Sequence, residues 1–245
     1  MEKNLSYLLV GLFTFIFACN AVDGELELDL VPEELYINLS DSCSYTIDNK
    51  IYNCNRVGSI YSGGTAQVNP EFKTGKGYED SVYFTTGMDL INFEDKAYMT
   101  IMFAKKYGKN QLLKNNLNLY VLPEDEKRIF YSEKRYPFAV DYERSNTMNG
   151  VALSFSTYDG DDYLMRYNTY SPAPWGRETS VMNDVQKDSE FEIIKIHTLP
   201  NGSTIVEAKF KAKVFGQYFY DESSGISEEA KMVEHGYVRF RVRMF

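Results

Sequence analysis

Residues 205–215, IVEAKFKAKVF, and 237–245, YVRFRVRMF, decide the fold. In both stretches apolar residues alternate with charged ones, which is the period-two pattern of a β-strand with one buried face. Further β-prone runs, separated by turn residues, lie at 81–85, 97–104, 117–122, 128–132, 138–142, 151–157, 163–170 and 191–197. Short strands at this spacing predict an all-β fold, an antiparallel β-sandwich, with helix limited to one or two short segments at 110–115 and 227–233.

The composition is that of a globular protein with one large domain or two small ones. The chain has 245 residues, of which 44% are hydrophobic and 25% charged, and its formal charge is −9. It contains 20 Tyr and 16 Phe against one Trp, and strands favour such rings. An acidic chain releases no counterions from a polyphosphate, so nucleic-acid binding is not expected. We expect a single β-sandwich domain over residues 36–245.

The first 19 residues have the pattern of an export signal. Lys3 precedes an apolar stretch at 5–18, which is too short to span a bilayer because a spanning helix takes ~20 residues. The ending IFAC at 16–19 resembles the lipobox of bacterial lipoproteins. That resemblance implies a signal peptide at 1–18 and lipid attachment at Cys19. An ordinary signal peptide and an uncleaved anchor are the alternatives.

Residues 19–35 are expected to form an acidic tether. They contain six acids and no base, which is typical of a solvated segment. An acidic stretch directly after the lipidated cysteine also resembles the surface-export signal of Bacteroidota lipoproteins, and a plain charged linker is the alternative. The resemblance implies a protein anchored in the outer membrane by its lipid and exposed at the cell surface. Several acyl chains on one cysteine would anchor it stably.

Cys43 and Cys54 flank a predicted hairpin. The runs on either side of Asp48 and Asn49 are β-prone, and a pairing centred there sets the two cysteines opposite each other. A disulfide between them suits the oxidising compartments that exported proteins reach. A two-residue turn would place the pair at a hydrogen-bonded site, whereas a four-residue turn over 47–50 would place it at the closer non-hydrogen-bonded site, which suits the disulfide better.

The two ends of the chain resemble a known family. The runs FEIIKI at 191–196 and GYVRFRV at 236–242, with Asn201-Gly202 between them, are similar to the closing strands of small Bacteroidota outer-membrane lipoproteins of unknown function. Those proteins open with an Ile-Asp-Gly-Lys hairpin, which IDNK at 47–50 matches with Asn in place of Gly. The resemblance implies a β-sandwich and an outer-membrane lipoprotein, and it implies no activity.

Few residues suit catalysis. The chain has two histidines, His197 at a strand end and His235 in a predicted turn before Gly236. Nucleophile triads and histidine-based zinc sites therefore have little support. A pair of carboxylates, as glycoside hydrolases use, stays open because sequence spacing does not show the distance between them. We expect no cofactor other than Ca²⁺ and favour binding over catalysis.

Two turn regions offer candidate binding groups. A turn near residue 160 gathers three carboxylates, and Ca²⁺ prefers such oxygen ligands, although a plain hairpin turn explains them as well. A Pro-rich loop holds the single Trp beside two tyrosines, whose rings suit stacking on a sugar or a protein partner, with a buried loop anchor as the alternative. The metal candidates are Asp159, Asp161 and Asp162, and the ligand candidates are Tyr167, Tyr170 and Trp175.

Six bases fall on the polar faces of the two defining strands. If those strands pair, the bases share one face and could receive an anionic glycan, a lipid head group or an acidic partner. The alternative is a solvated face balanced by Glu190, Glu192 and Glu207. The bases are Lys209, Lys211, Lys213, Arg239, Arg241 and Arg243.

Together these features predict an exported, lipid-anchored surface lipoprotein that acts as a binding module for a carbohydrate or another extracellular ligand. The alternative is a structural or adhesive envelope subunit with a protein partner, and a glycoside hydrolase ranks third.

Overall fold

In its described residues the chain forms twelve β-strands and one α-helix. The computed structural model describes residues 40–63, 81–132, 134–142, 148–159, 163–170, 185–200, 203–218 and 230–243. Within these ranges the helix α1 spans Glu124–Phe130 and a 3-10 turn spans Lys109–Gln111. The strands are β1 (Ser42–Ile47), β2 (Lys50–Cys54), β3 (Arg56–Gly63), β4 (Ser81–Asn92), β5 (Ala97–Gly108), β6 (Leu113–Lys114), β7 (Tyr120–Val121), β8 (Gly150–Asp159), β9 (Tyr163–Asn168), β10 (Glu190–Thr198), β11 (Ser203–Tyr218) and β12 (Ala230–Arg243).

Ten of the strands form one continuous antiparallel sheet. Its order is β2-β1-β12-β11-β9-β8-β5-β4-β3, and β10 pairs with the first part of β11 while β9 pairs with the last part. The strands β6 and β7 form a separate small hairpin. The two alternating stretches that predict the fold pair with each other, with Glu207 opposite Arg239. The prediction of an all-β fold is confirmed.

The long sheet folds over so that its two halves face each other across one hydrophobic core. The ring of Phe103 in β5 lies 5.6 Å from that of Phe191 in β10 and 5.8 Å from that of Phe240 in β12. In a second contact between the two halves, the ring of Tyr45 in β1 lies 4.7 Å from the ring of Phe155 in β8. All five rings are almost fully buried. The two halves therefore act as the layers of an antiparallel β-sandwich, as the sequence predicts.

An extended strap, residues 134–140, joins the two halves on one side. The Tyr136 N–H donates to the Phe191 carbonyl at 2.8 Å, which connects the strap to β10. The Val151 N–H donates to the Pro137 carbonyl at 2.8 Å, and the Ala139 N–H donates back to Val151 at 2.9 Å, which connects it to β8. The strap thus satisfies backbone groups of both strands at a place where the sheet itself does not close.

The structure corrects several predicted elements. The strand expected at 128–132 is instead the end of α1, because three acids after Pro123 favour a helix start through the helix dipole. The helix expected at 227–233 is wrong for its described part, since Ala230–Arg243 is strand β12 and Val233 is buried opposite Ala212 of β11. The run at 117–122 contributes only Tyr120–Val121, 110–115 forms the 3-10 turn and β6, and 138–142 belongs to the strap and a turn.

The first hairpin has the predicted register with the shorter turn. Cys43 pairs with Cys54, and the turn has only two residues, Asp48 (φ 51°) and Asn49 (φ 61°). Positive φ at both positions defines a type I′ turn, which suits the twist of the strands. The cysteines therefore occupy a hydrogen-bonded pair, about 5.5 Å apart at Cα, which lies within the range that disulfides span. Both are buried thiols here, so the disulfide stays a prediction.

Candidate functional site

A β-bulge in β12 marks the most distinctive site on the sheet. On one side the single residue Lys211 of β11 faces both Glu234 and His235, and on the other side Tyr45 of β1 faces His235 and Gly236. His235 has a φ of 52°, which is uncommon for a residue other than glycine. The prediction that His235 lies in a turn is therefore wrong, because it lies inside a strand. Bulges of this kind redirect side chains and occur often beside functional sites.

The bulge shapes a groove of about 430 Å³ on the outer face of the sheet, which we call the bulge groove. Gly236 forms part of its floor over the ring of Phe210, and a Cβ at Gly236 would lie 2.3 Å from that ring. Tyr237 is held in place beside the floor because its hydroxyl donates to a carboxylate oxygen of Glu207 at 2.8 Å. The polar side chains that line the groove are Glu190, Lys209, Lys211, Glu234, His235 and Tyr237.

The groove carries charges of both signs. The Lys211 ammonium lies 3.7 Å from a Glu234 oxygen, and Arg135 lies 3.6 Å from a Glu190 oxygen. All four side chains are more than two-fifths exposed, so each pair is weak in water and can exchange its partner for a ligand. The groove therefore offers ammonium donors and carboxylate acceptors close together.

The six predicted bases do not form an all-positive face. The two strands pair as expected, but neighbouring strands bring acids among the bases, with Glu192 opposite Lys209 and Glu190 opposite Lys211. Arg239 is opposite Glu207 and donates to the Ser40 carbonyl at 2.8 and 3.1 Å. These neighbours are the balancing acids that the solvated-face alternative requires.

Lys213 and Arg241 are not among the residues that line the groove. The backbone N–H of Lys213 donates to Ser189 at 3.0 Å. Arg241 lies beside Asp41, whose carboxyl pKa is raised by burial against the opposing effect of the guanidinium. For Arg243 the structure describes the backbone in β12 and not the side chain. Of the five bases whose side chains are described, Lys209 and Lys211 line the bulge groove.

The predicted aromatic site is not brought together as a surface. Tyr167 and Tyr170 are only 5% and 3% exposed. The ring of Tyr170 packs on Tyr142 at 5.2 Å, and its hydroxyl accepts from Arg166 at 3.1 Å. Both tyrosines belong to the packed interior, so neither has an open face for a ligand. Trp175 lies outside the described residues.

The predicted calcium ligands are largely outside the described part of the chain. The backbone of Asp159 ends strand β8, while Asp161 and Asp162 fall in a range that the structure does not describe. Among the described residues no three His, Cys, Asp or Glu side chains converge as metal ligands do.

A smaller groove of about 230 Å³ lies beside α1. Its floor is apolar, with Phe103 and Phe130, and its rim carries Lys105, Lys134 and Arg135. Lys105 pairs with Glu126 on α1 at 3.5 Å. This groove is half the size of the bulge groove and has less varied polar chemistry.

The bulge groove is not predicted from the sequence, because a shift in strand register produces no recognisable periodic pattern of residues. The one signal is Gly236 within an alternating strand pattern, since a glycine inside a strand often marks a bulge.

Within the described ranges no helix is long and apolar enough to cross a bilayer. Comparison of the chain with protein-family models, curated proteins and solved structures finds no match.

Proposed function

We propose that this chain is a lipid-anchored surface protein of the outer membrane whose β-sandwich binds a carbohydrate in the bulge groove. The observation that carries the binding proposal is the alternation of donors and acceptors around a groove with a fixed tyrosine beside it. The anchor and the location rest on the sequence features at 1–35.

The polar chemistry of the groove suits hydroxyl groups. A sugar hydroxyl both donates and accepts hydrogen bonds, so it can accept from Lys209 or Lys211 while donating to Glu190 or Glu234. A polyanion would instead meet two carboxylates in the same groove, which costs binding energy. The mixed charges therefore favour a neutral carbohydrate over an anionic one.

The groove is held by strands and not by loops. Its lining residues come from β10, β11 and β12, whose pairing fixes their spacing. The hydrogen bond from Tyr237 to Glu207 fixes the phenol oxygen, so the ring can present a stable surface to the C–H groups of a sugar. Little side-chain freedom is then lost on binding, which supports affinity in a small site.

The test is affinity electrophoresis of the mature chain, residues 19–245 with Cys19→Ser, in gels that contain neutral or anionic polysaccharides. We expect a neutral polysaccharide to retard the protein. The double variant Lys211→Ala/Glu234→Ala should lose this retardation, because it removes one donor and one acceptor from the groove.

Lys213→Ala is the matched control, since Lys213 is two residues along the same strand and does not line the groove. Its retardation should equal that of the parent. Equal retardation of all three proteins, or retardation by anionic polysaccharides alone, would refute the proposal. Crosslinking of the groove to one envelope protein in cells, without retardation by any polysaccharide, would favour the structural or adhesive alternative.

The anchor has its own test in bacterial cells that process lipoproteins. Incorporation of labelled palmitate into the natural chain and its absence from Cys19→Ser is the expected result. Labelling of both chains, or of neither, would show that Cys19 is not the lipid site.

A further inference from the structure

The small hairpin of β6 and β7 exposes a cluster of leucines. Leu113, Leu117 and Leu119 are 57%, 77% and 42% exposed. They are three of the seven large hydrophobic side chains that are exposed in the described part of the chain. Isolated exposed leucines are common on proteins, but three within seven residues form a patch that needs a contact.

The hairpin also lies in the most basic part of an acidic chain. Between Asp95 and Glu124 the sequence contains five bases and no acid. Residues 97–135 carry eight bases and four acids, a net charge of +4 within a chain of −9. Lys114 lies on β6 itself, Lys109 lies in the 3-10 turn before it, and Lys105 and Lys106 lie near the end of β5. Positive charge and exposed leucines within one short stretch of the chain are the combination that a membrane-surface segment shows.

Four backbone N–H groups at the tip of the hairpin are paired within the hairpin. The Asn115 side-chain oxygen accepts from the N–H groups of Leu117 at 2.9 Å and Leu119 at 3.0 Å. The Asn115 N–H donates to the Leu119 carbonyl at 3.0 Å, and the Asn118 N–H donates to the Asn115 carbonyl at 2.9 Å. A loop with paired amides can leave water at low cost. The tip can therefore enter a lipid headgroup region while it displays its leucines.

The base of the hairpin is fixed to the domain. Leu122 is buried in the core, and Leu112 and Tyr120 pack against it. The Lys114 ammonium lies 5.1 Å from the centre of the Tyr120 ring. The leucines at the tip are thus carried on a supported element, which keeps their direction constant relative to the sheet.

We propose that the hairpin of β6 and β7 is a membrane-contact element that inserts Leu117 and Leu119 into an anionic lipid surface while the surrounding lysines attract the headgroups. Lysines near an anionic surface add to the apolar contribution. The proposal does not depend on the bulge groove. A chain of 20 residues, 20–39, reaches at most about 70 Å, so an anchor at Cys19 would leave the orientation of the domain to a contact such as this hairpin.

The test is sedimentation of the mature chain with Cys19→Ser in the presence of vesicles. One set is pure phosphatidylcholine, and the other is an equal mixture of phosphatidylcholine and phosphatidylglycerol. We expect binding to the mixed vesicles that weakens as salt is added, because salt screens the lysines. Leu117→Ser should lower the affinity about tenfold, since it removes the most exposed leucine. Lys114→Gln should lower it about fivefold on mixed vesicles and leave binding to phosphatidylcholine unchanged.

Ile51→Ser is the matched control, because Ile51 on β2 is 67% exposed and lies outside the hairpin. Its vesicle affinity should equal that of the parent, and circular dichroism should show the same folded state for all four proteins. No binding to mixed vesicles, or equal affinity for Leu117→Ser and the parent, would overturn the proposal. Specific crosslinking of residue 117 to a protein in cells, without vesicle binding, would make the hairpin a protein interface and would overturn it as well.

Discussion

Replacing Tyr45 by Phe should stabilise this protein, because the change removes an unpaired hydroxyl from a buried side chain. The Tyr45 hydroxyl is buried and has no hydrogen-bond partner within the described part of the chain. Burial raises its pKa, and the nearby Cys54 and Cys43 add to this effect, so the hydroxyl stays neutral. The ring contacts to Tyr52 at 5.3 Å and Phe155 at 4.7 Å do not involve the hydroxyl and would survive.

The size of the effect follows from the unpaired oxygen. A buried polar group without a partner costs about 1–3 kcal/mol, so Tyr45→Phe should raise the free energy of unfolding by about 1 kcal/mol. Tyr131→Phe is the matched comparison, because the Tyr131 hydroxyl is also buried but donates to Thr86 Oγ1 at 3.2 Å. Losing that bond should lower the free energy of unfolding by about 1 kcal/mol.

Urea unfolding and thermal melting, followed by circular dichroism, measure both variants on the mature chain with Cys19→Ser under one redox condition. For a domain of this size 1 kcal/mol moves Tm by about 2–4 °C, so the two variants should differ by about 4–8 °C on opposite sides of the parent. If Tyr45→Phe destabilises the protein as much as Tyr131→Phe does, the hydroxyl has a partner and the reasoning is refuted.

Three further predictions concern the same layer of the fold. Cys43 and Cys54 should form a disulfide after export, and reduction should then increase the mass of the protein by two hydrogens. Reduction should also lower the free energy of unfolding by about 3 kcal/mol for a loop of this length. An unchanged mass on reduction would exclude the bond. The Lys231 ammonium donates to the carboxylate of Asp48, which raises the pKa of the lysine. The contribution of this ion pair to stability is therefore complete below the usual lysine pKa of about 10.4, and it is lost as the pH rises through the pKa of Lys231 in the folded protein. Lys231→Gln should therefore flatten the fall in stability above about pH 10.4 in urea titrations, and parallel curves would contradict this. Gly236→Ala should cost about 1–3 kcal/mol in urea unfolding because its Cβ would clash with the ring opposite it; unchanged stability and carbohydrate retardation would show that the groove floor is built differently.

The strands that the sequence predicts best are those in which one face is buried and the other solvated. In β11 and β12, Val206, Ala208, Val238 and Phe240 are buried while charged residues alternate with them. The hairpin register of Cys43 and Cys54 is predictable for a similar reason, since Asp-Asn centres the turn. Local pattern and tertiary burial agree in these elements.

Prediction fails where distant contacts decide the outcome. The run that ends in Phe130 and Tyr131 contains strand-forming residues. Three acids before it start a helix that ends at Phe130, and the fold buries both rings. The position of Tyr167 and Tyr170 beside a Pro-rich loop predicts exposed rings, whereas the fold buries both of them. The bulge at His235 depends on the registers of two neighbouring strands, which one chain segment does not encode by itself.

Because β1 pairs with β12, this part of the sheet forms only after β12 has been synthesised. Ser42 in β1 lies opposite Arg239 in β12, so almost the whole chain separates two neighbours in the sheet. Contacts of such long range make folding slow, because the loop must close before the pairing stabilises it. β12 pairs on both sides, with β1 and β11, and a nascent or truncated chain without this 14-residue strand would expose two open strand edges that invite aggregation. The domain is therefore expected to need chaperone protection until β12 has been made.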